Sequence, residues 1–347
     1  MKKLHHYLLA LVAFGFVTDS CTNDFILTSP WKEIPVVYAI LNPRDDNHYI
    51  RVEKAFLDPE TNALLVAKIA DSLYYRPDEV SVFLQKIGES TLYSLSRVDG
   101  NLEGLKRDTG IFADTPNWLY KIKNSDLPGG LRDEASYRLI IKRSNGKPDI
   151  TAETKIPKKF LIVAPSLSNT PRIINFLTDN TTNFRWTHDD NSVLFNITLK
   201  MPYREQLPNG TVVVRDTFIW RVATNVLATL NGNGNTLYSV SGPEFFDQLA
   251  AHIKTPTDDG RARIFGATIE VKVEGGGKEI REYQLASEAN SGLTGAEIVQ
   301  TYTNMSEGFG IFTAKNVTIE GNFRFGDQTI KALNEYERTK TLNFKAQ

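Results

Sequence analysis

The chain has 347 residues, of which 41% are apolar, 23% charged and 10% aromatic. Those proportions are globular and exclude collagen-like, coiled-coil and largely disordered chains, while the length favours two domains of about 100–200 residues. Forty Lys and Arg against 41 Asp and Glu leave a formal charge of −1, which offers no basic field for gripping nucleic-acid phosphates.

The chain opens with Lys2 and Lys3, continues through an almost wholly apolar run from Tyr7 to Val17, and then reaches Thr18-Asp19-Ser20-Cys21. A basic start, a short apolar run and small residues at its end predict a secretory signal peptide over residues 1–20. The run is too short to cross a bilayer core, which needs about 20 residues. The sequence holds one cysteine, and it stands where the signal peptide should end. Ser20-Cys21 resembles a bacterial lipobox, although Asp19 is an unusual occupant of its middle position. The resemblance implies that Cys21 carries acyl chains and ties the mature chain to a membrane durably. An acylated Cys21 would leave no thiol for a disulfide or for redox chemistry.

Residues 21–32, with Pro30, read as an extended tether. Strands are expected over Ile34–Leu41 and Tyr49–Phe56, on either side of the turn-forming Asn42-Pro43-Arg44-Asp45-Asp46-Asn47. Val80, Val82 and Leu84, and again Tyr137, Leu139 and Ile141, alternate with their neighbours at the period of two of a half-buried strand. With further strands near 91–96, 118–123 and 150–156, residues 33–157 read as an immunoglobulin-like or fibronectin-III-like β-sandwich. Tyr137, after Gly129-Gly130, is a candidate tyrosine-corner residue or a simple core residue. Leu65, Ile69 and Leu73, four apart after Thr61, predict a short helix or irregular excursion over 62–73. Residues 158–171 read as a linker, and 172–347 as a second β-sandwich. Its strands are expected over 183–187, 193–203, 212–222 and 264–274, with Trp186 in the core and Gly275-Gly276-Gly277 as a hairpin turn. Ser241 is placed to cap an inserted helix over 243–253 with Phe246, Leu249 and Ile253 on one face, and 329–337 closes the chain as a terminal helix. The fold class expected is mainly β: tandem sandwiches with short helical insertions.

Catalytic and cofactor motifs are missing. The sequence has no His-Glu-x-x-His, Gly-x-Ser-x-Gly, P-loop or dinucleotide fingerprint, and Glu279 stands where a phosphate loop would need Ser or Thr. His48, His188 and His252 are far apart and read as surface or loop residues. Asp45-Asp46, Asp189-Asp190 and Asp258-Asp259 lack the spacing of a calcium loop and read as solvated turns. No catalytic residue, metal ligand or cofactor site is therefore assigned, and the chain is not expected to be an enzyme. Asp71-Ser72-Leu73 resembles the acceptor at which Bacteroidota O-glycosylate exported proteins, which makes Ser72 a candidate glycan site. Trp31, Trp118, Trp186 and Trp220 are the tryptophans available to a glycan-binding surface, although Trp186 and Trp220 fit a core.

Three segments carry a wider resemblance. They are Pro35–Pro43, Trp186–Asn191 with the strand that follows, and Tyr302-Thr303-Asn304-Met305-Ser306-Glu307-Gly308-Phe309-Gly310-Ile311-Phe312. Together they resemble an uncharacterised family of Bacteroidota outer-membrane lipoproteins with immunoglobulin-like domains and a Gly-x-Gly-Ile-Phe box, often encoded beside TonB-dependent receptors. The resemblance implies a lipid-anchored protein on the cell surface or the periplasmic face of the outer membrane. Its partner would be an outer-membrane β-barrel protein within a transporter or assembly complex, or else a glycan or nutrient. It brings no catalytic residues. For the box itself, the residue reading is structural: Gly308 and Gly310 allow tight backbone turns, and Ile311 and Phe312 enter the core.

Overall fold

In a computed structural model of the chain, the described residues are 33–56, 62–144, 146–229, 234–253, 259–291 and 301–346. The signal peptide, Cys21, Trp31, the tether and Thr61 lie outside them. The first half contributes β1 (Glu33–Leu41), β2 (Asn47–Phe56), α1 (Ala63–Val66), α2 (Ala70–Leu73), β3 (Val80–Lys86), β4 (Tyr93–Ser94), β5 (Ser96–Asp99), β6 (Trp118–Lys123), β7 (Ser136–Arg143) and β8 (Ile150–Lys155). The second contributes β9 (Ile162–Ala164), β10 (Arg172–Ile174), β11 (Thr181–Thr187), β12 (Leu194–Gln206), β13 (Val212–Leu227), β14 (Asn235–Ser241) and α3 (Gly242–His252). It then adds β15 (Ala262–Phe265), β16 (Ile269–Gly276), α4 (Lys278–Ser291), β17 (Phe309–Phe325) and α5 (Asp327–Glu335).

The fold is mainly β, two sandwiches with short helical insertions. In the first, the sheet β1-β2-β6-β5 packs on the sheet β4-β3-β7-β8. Alternate residues of each sheet point inward: Val37, Ala39, Leu41, Ile50 and Val52 meet Val80, Val82, Leu84, Leu139 and Ile141, all buried. The β1–β2 turn forms because Asn42 holds it with its own side chain, donating to Asp45 Oδ1 at 2.7 Å and accepting from Arg44 N at 3.2 Å. Tyr137, at the start of β7, accepts a 3.0 Å hydrogen bond from Arg132 N, five residues upstream, as a tyrosine corner does. In the second sandwich, β13-β12-β16-β17 faces β14-β11-β9 around an aromatic core. Trp186, Phe195, Phe176, Phe245 and Phe323 are buried there, and α3 and α5 close its side. Ser241 caps α3 by accepting from Glu244 N at 3.3 Å, with Phe246, Leu249 and Ile253 buried beneath it.

Four features depart from the sequence-based reading. The 62–73 excursion is two short helices instead of one: Ala67 and Leu73 are buried, while Leu65 and Ile69, on the face a single helix would turn inward, remain exposed. Residues 158–171 are not a free linker: Phe160 and Ile162 enter the second core, and β9 pairs with β11. Gly275 and Gly276 belong to β16, and Gly277 leads into α4 instead of a hairpin. Their lack of side chains matters because a Cβ at Gly275 would press on Phe195 and Phe160 at 2.7 and 3.0 Å. Lastly, β17 serves both sandwiches. Its first third runs parallel to β1 (Val36 opposite Phe309 through Leu41 opposite Ala314), and the rest pairs with β16 and β10. Met305, Phe312 and Ala314 thereby belong to the first core, although they stand in the segment expected to form the second unit.

Candidate functional site at the junction of the two units

Where β17 meets β1, the backbones approach so closely that side chains are excluded. Gly308 and Gly310 have φ of +84° and +108°, and a Cβ on them would lie 2.1 and 1.8 Å from the carbonyl oxygens of Pro35 and Val37. Asn304 holds the box from the side: its amide donates to Phe312 O at 2.7 Å and accepts from Phe312 N at 2.9 Å, in the manner of a neighbouring strand. Ser306 fastens the same segment to β8 through Ser306 N to Thr151 O at 2.8 Å and Thr151 N to Ser306 Oγ at 2.8 Å. The buried Arg143 guanidinium on β7 pairs with Glu307 and donates to Pro148 O.

The alternation of β1 and β17 directs Val36, Tyr38, Ile40, Phe309, Ile311 and Thr313 to the outer face of this junction. The helix α4 lies over part of that face: Thr313 Oγ1 donates to the buried carboxylate of Glu279 at 3.0 Å, and Ile311 is covered. Beyond the helix, Tyr38 (37% exposed), Ile40 (48%) and Phe309 (43%) remain open to solvent. Between them and α4 lies a cavity of about 210 Å³, lined by Tyr38, Tyr283, Ala286, Tyr302, Phe309 and Gly310. The Tyr38 and Tyr283 hydroxyls share a hydrogen bond of 3.1 Å, and their rings meet edge to face at 82°. Burial, then the bond to Tyr283, pushes the Tyr38 phenol up to about 12. A polar network borders this strip on β2, where Arg51 and Arg107 both donate to Glu53 Oε1, at 2.8 and 2.6 Å.

Other sequence-derived candidates do not converge here. Ser72 lies on α2, half-buried between the exposed Asp71 and the buried Leu73. Trp186 and Trp220 are core, and Trp118 has the Arg97 guanidinium 4.4 Å from its ring centroid. His48 is buried instead of a loop residue: Nε2 lies 3.1 Å from Asn124 Oδ1, and burial lowers its pKa. His188 is half-buried, with its ring 5.5 Å from that of Phe195, and His252 is exposed, resting on Phe218 at 4.9 Å. Among the described residues, no three His, Cys, Asp or Glu side chains gather as a metal site would require. A second concavity of about 290 Å³ between the units mixes Glu153, Lys155, Asp190, Lys278 and Glu279, with charges of both signs. Sequence reasoning gave Tyr38, Tyr283 and Asn304 no site role, although Tyr38 and Asn304 stand in segments it singled out, because the three lie up to 266 positions apart in the chain (304 − 38) and share no local motif.

No protein-family model and no curated protein matches the chain. Among solved structures it is similar to the C-terminal globular domain of oligosaccharyltransferase from Pyrococcus abyssi. That match has 11% identity and a TM-score of 0.22, and covers 70% of this chain and 46% of that one, so this chain spans less than half the length of the chain it matches. It is also similar to the calcium binding domain CBD12 of CALX1.1 (9% identity, TM-score 0.17, covering 83% and 99%) and to a fragment of titin (11%, 0.18, covering 84% and 68%). The two-sandwich architecture rests on the strand pairing above and not on these likenesses.

Proposed function

We propose that this chain is a non-catalytic lipoprotein of the outer membrane, anchored through Cys21 and facing the cell surface. There it serves as a binding or accessory subunit of an outer-membrane protein complex, such as a transporter or assembly machine built around a β-barrel. The observation that carries this reading is the strip of Tyr38, Ile40 and Phe309, exposed on the face where β17 joins the two sandwiches. A strand shared by both cores gives that face a fixed shape, and little ordering entropy then opposes docking. Exposed aromatic and branched side chains beside a shallow cavity suit an anchor residue from a protein partner. A formal charge near zero leaves shape and apolar contact as the main source of affinity. Anchoring both partners in one membrane raises their effective concentration, so a modest interface stays occupied.

The second reading, a glycan- or nutrient-binding lipoprotein, is favoured by the Tyr38, Tyr283 and Tyr302 side chains around the 210 Å³ cavity. Edge-to-face rings with mutually bonded hydroxyls present less open ring face than a sugar platform needs, so we rank it below a protein partner. The test is a photo-crosslinking amino acid at Ile40 in intact cells, followed by mass spectrometry. Capture of a β-barrel protein supports the first reading. No adduct at Ile40, together with a defined glycan-array signal lost in Tyr302→Ala, replaces it with the second.

A further inference from the structure

The end of the first sandwich at which β1 begins carries another exposed apolar surface. β1 and β2 are antiparallel, with Glu33 opposite Phe56, so the excursion after β2 leaves the sheet where the tether arrives. β6 runs antiparallel to β2 and opposite to β5, with Trp118 facing Asp99, so the β5–β6 loop leaves at that same end. The two loops are joined: Ala113 N donates to Ala67 O at 2.8 Å, and Arg107 reaches Tyr74 Oη at 2.9 Å with Phe112 against its guanidinium. On them Leu64, Leu65, Ile69, Ile111 and Phe112 are between 51% and 65% exposed. Lys68 and Lys106, and with them Asp71 and Asp108, are exposed on the same loops.

We infer that this end of the sandwich rests in the surface of a lipid bilayer, with the five apolar side chains at the acyl boundary and the two lysines among the headgroups. The inference rests on the lipid-anchored reading of Cys21 given above. The tether of twelve residues, 21–32, spans at most about 40 Å when fully extended. It joins the fold at Glu33, so the bilayer lies within reach of this end first. Exposed branched and aromatic residues are what lets a peripheral segment lie in an interface, and the two lysines among the mixed charges around them can pair with anionic headgroups. Without an apolar phase against them, these five side chains leave more apolar surface exposed on the joined loops than a soluble surface favours.

The test uses the lipidated chain in vesicles of phosphatidylethanolamine and phosphatidylglycerol. With the Cys21 sulfur occupied by lipid, Leu65→Cys or Phe112→Cys supplies a single thiol for an environment-sensitive fluorophore. Both positions are exposed, so the core stays intact. Val213→Cys, exposed on β13 of the second sandwich, is the reference. Labels at 65 and 112 should shift to the blue and lose emission to nitroxide-bearing lipid, while the label at 213 does neither. Unquenched labels at 65 and 112 on chains that still float with the vesicles would overturn the membrane contact and leave the anchor standing. Chains that do not float at all would overturn the anchor, and the contact with it. A shift seen in native membranes but absent from protein-free vesicles would place a protein on this surface and overturn the lipid assignment.

Discussion

Replacing Gly310 by alanine probes the closure of the first sandwich. The new Cβ would stand 1.8 Å from Val37 O, and the residue would have to hold φ at +108°. No rotamer change relieves either problem, because the obstacle is backbone. Keeping a residue with a side chain in such a conformation costs about 1–3 kcal/mol. The overlap is removed only if β17 slides off β1, which sacrifices roughly two backbone hydrogen bonds at about 1 kcal/mol net each. The sum is about 3–5 kcal/mol, a large share of the roughly 5–15 kcal/mol that stabilises a typical folded domain. Gly321→Ala supplies the control within the same strand, since its Cβ would meet nothing nearer than Glu270 Cγ at 3.8 Å. It should change stability by no more than about 1 kcal/mol. Urea unfolding followed by circular dichroism measures both. Equal losses in the two variants would falsify the claim that β17 must touch the β1 backbone at Gly310.

Three further outcomes are expected. Glu205→Ala should cost about 3–5 kcal/mol in urea unfolding, because it removes the carboxylate that Arg263, 1% exposed, bonds at 2.8 Å. Burial raises the Glu205 pKa, but hydrogen bonds from Arg261 and Arg263 hold it below the usual carboxylate range. That contribution is therefore present above the unfolded value of about 4.3 and lost as pH falls through the folded one, and a pH-independent cost of the variant would refute it. His48, with its pKa lowered by burial, should contribute stability above its ordinary value of about 6.5 that is lost as pH falls through the folded value. The gap between wild type and His48→Gln should close on acidification, and a gap that widens would show the imidazole to be favoured when charged. Cys21→Ala should abolish labelling by a fatty-acid analogue and move the chain out of the membrane fraction; full labelling of that variant would eliminate Cys21 as the acylated residue.

Local patterns made a good part of this molecule legible. Alternation at Val80–Leu84 and Tyr137–Ile141 marks buried strand faces because side chains in a strand alternate about its plane. Asn42-Pro43 announces the first turn because Asn can bond the backbone two residues on. Ser241-Gly242-Pro243 announces α3 because a hydroxyl and a proline suit a helix start. Each signal depends on residues a few positions apart. At 62–73 the same logic left a single helix and an irregular excursion both open; the spacing of four suggests one helical face, but Leu65 and Ile69 are exposed, and the irregular alternative is the one observed. That logic misread Gly275–Gly277, whose glycines answer to the Phe195 and Phe160 rings and not to a turn.

The sequence by itself determined the mainly β class, the two cores and the expectation of a lipid anchor, because alternation, turn chemistry and a signal-like start are written in contiguous residues. The candidate site was decided only in three dimensions. Tyr38 and Tyr283 meet because β1 and the C-terminal strand pair in parallel and α4 lies over them, a contact across 245 positions that no periodicity encodes. The glycines at 308 and 310 could be noticed in the sequence, but their necessity comes from the Pro35 and Val37 carbonyls of a strand more than 270 residues away (308 − 35 = 273). Parallel pairing needs a long crossover, so its register depends on the packing of both sandwiches together instead of on any one segment.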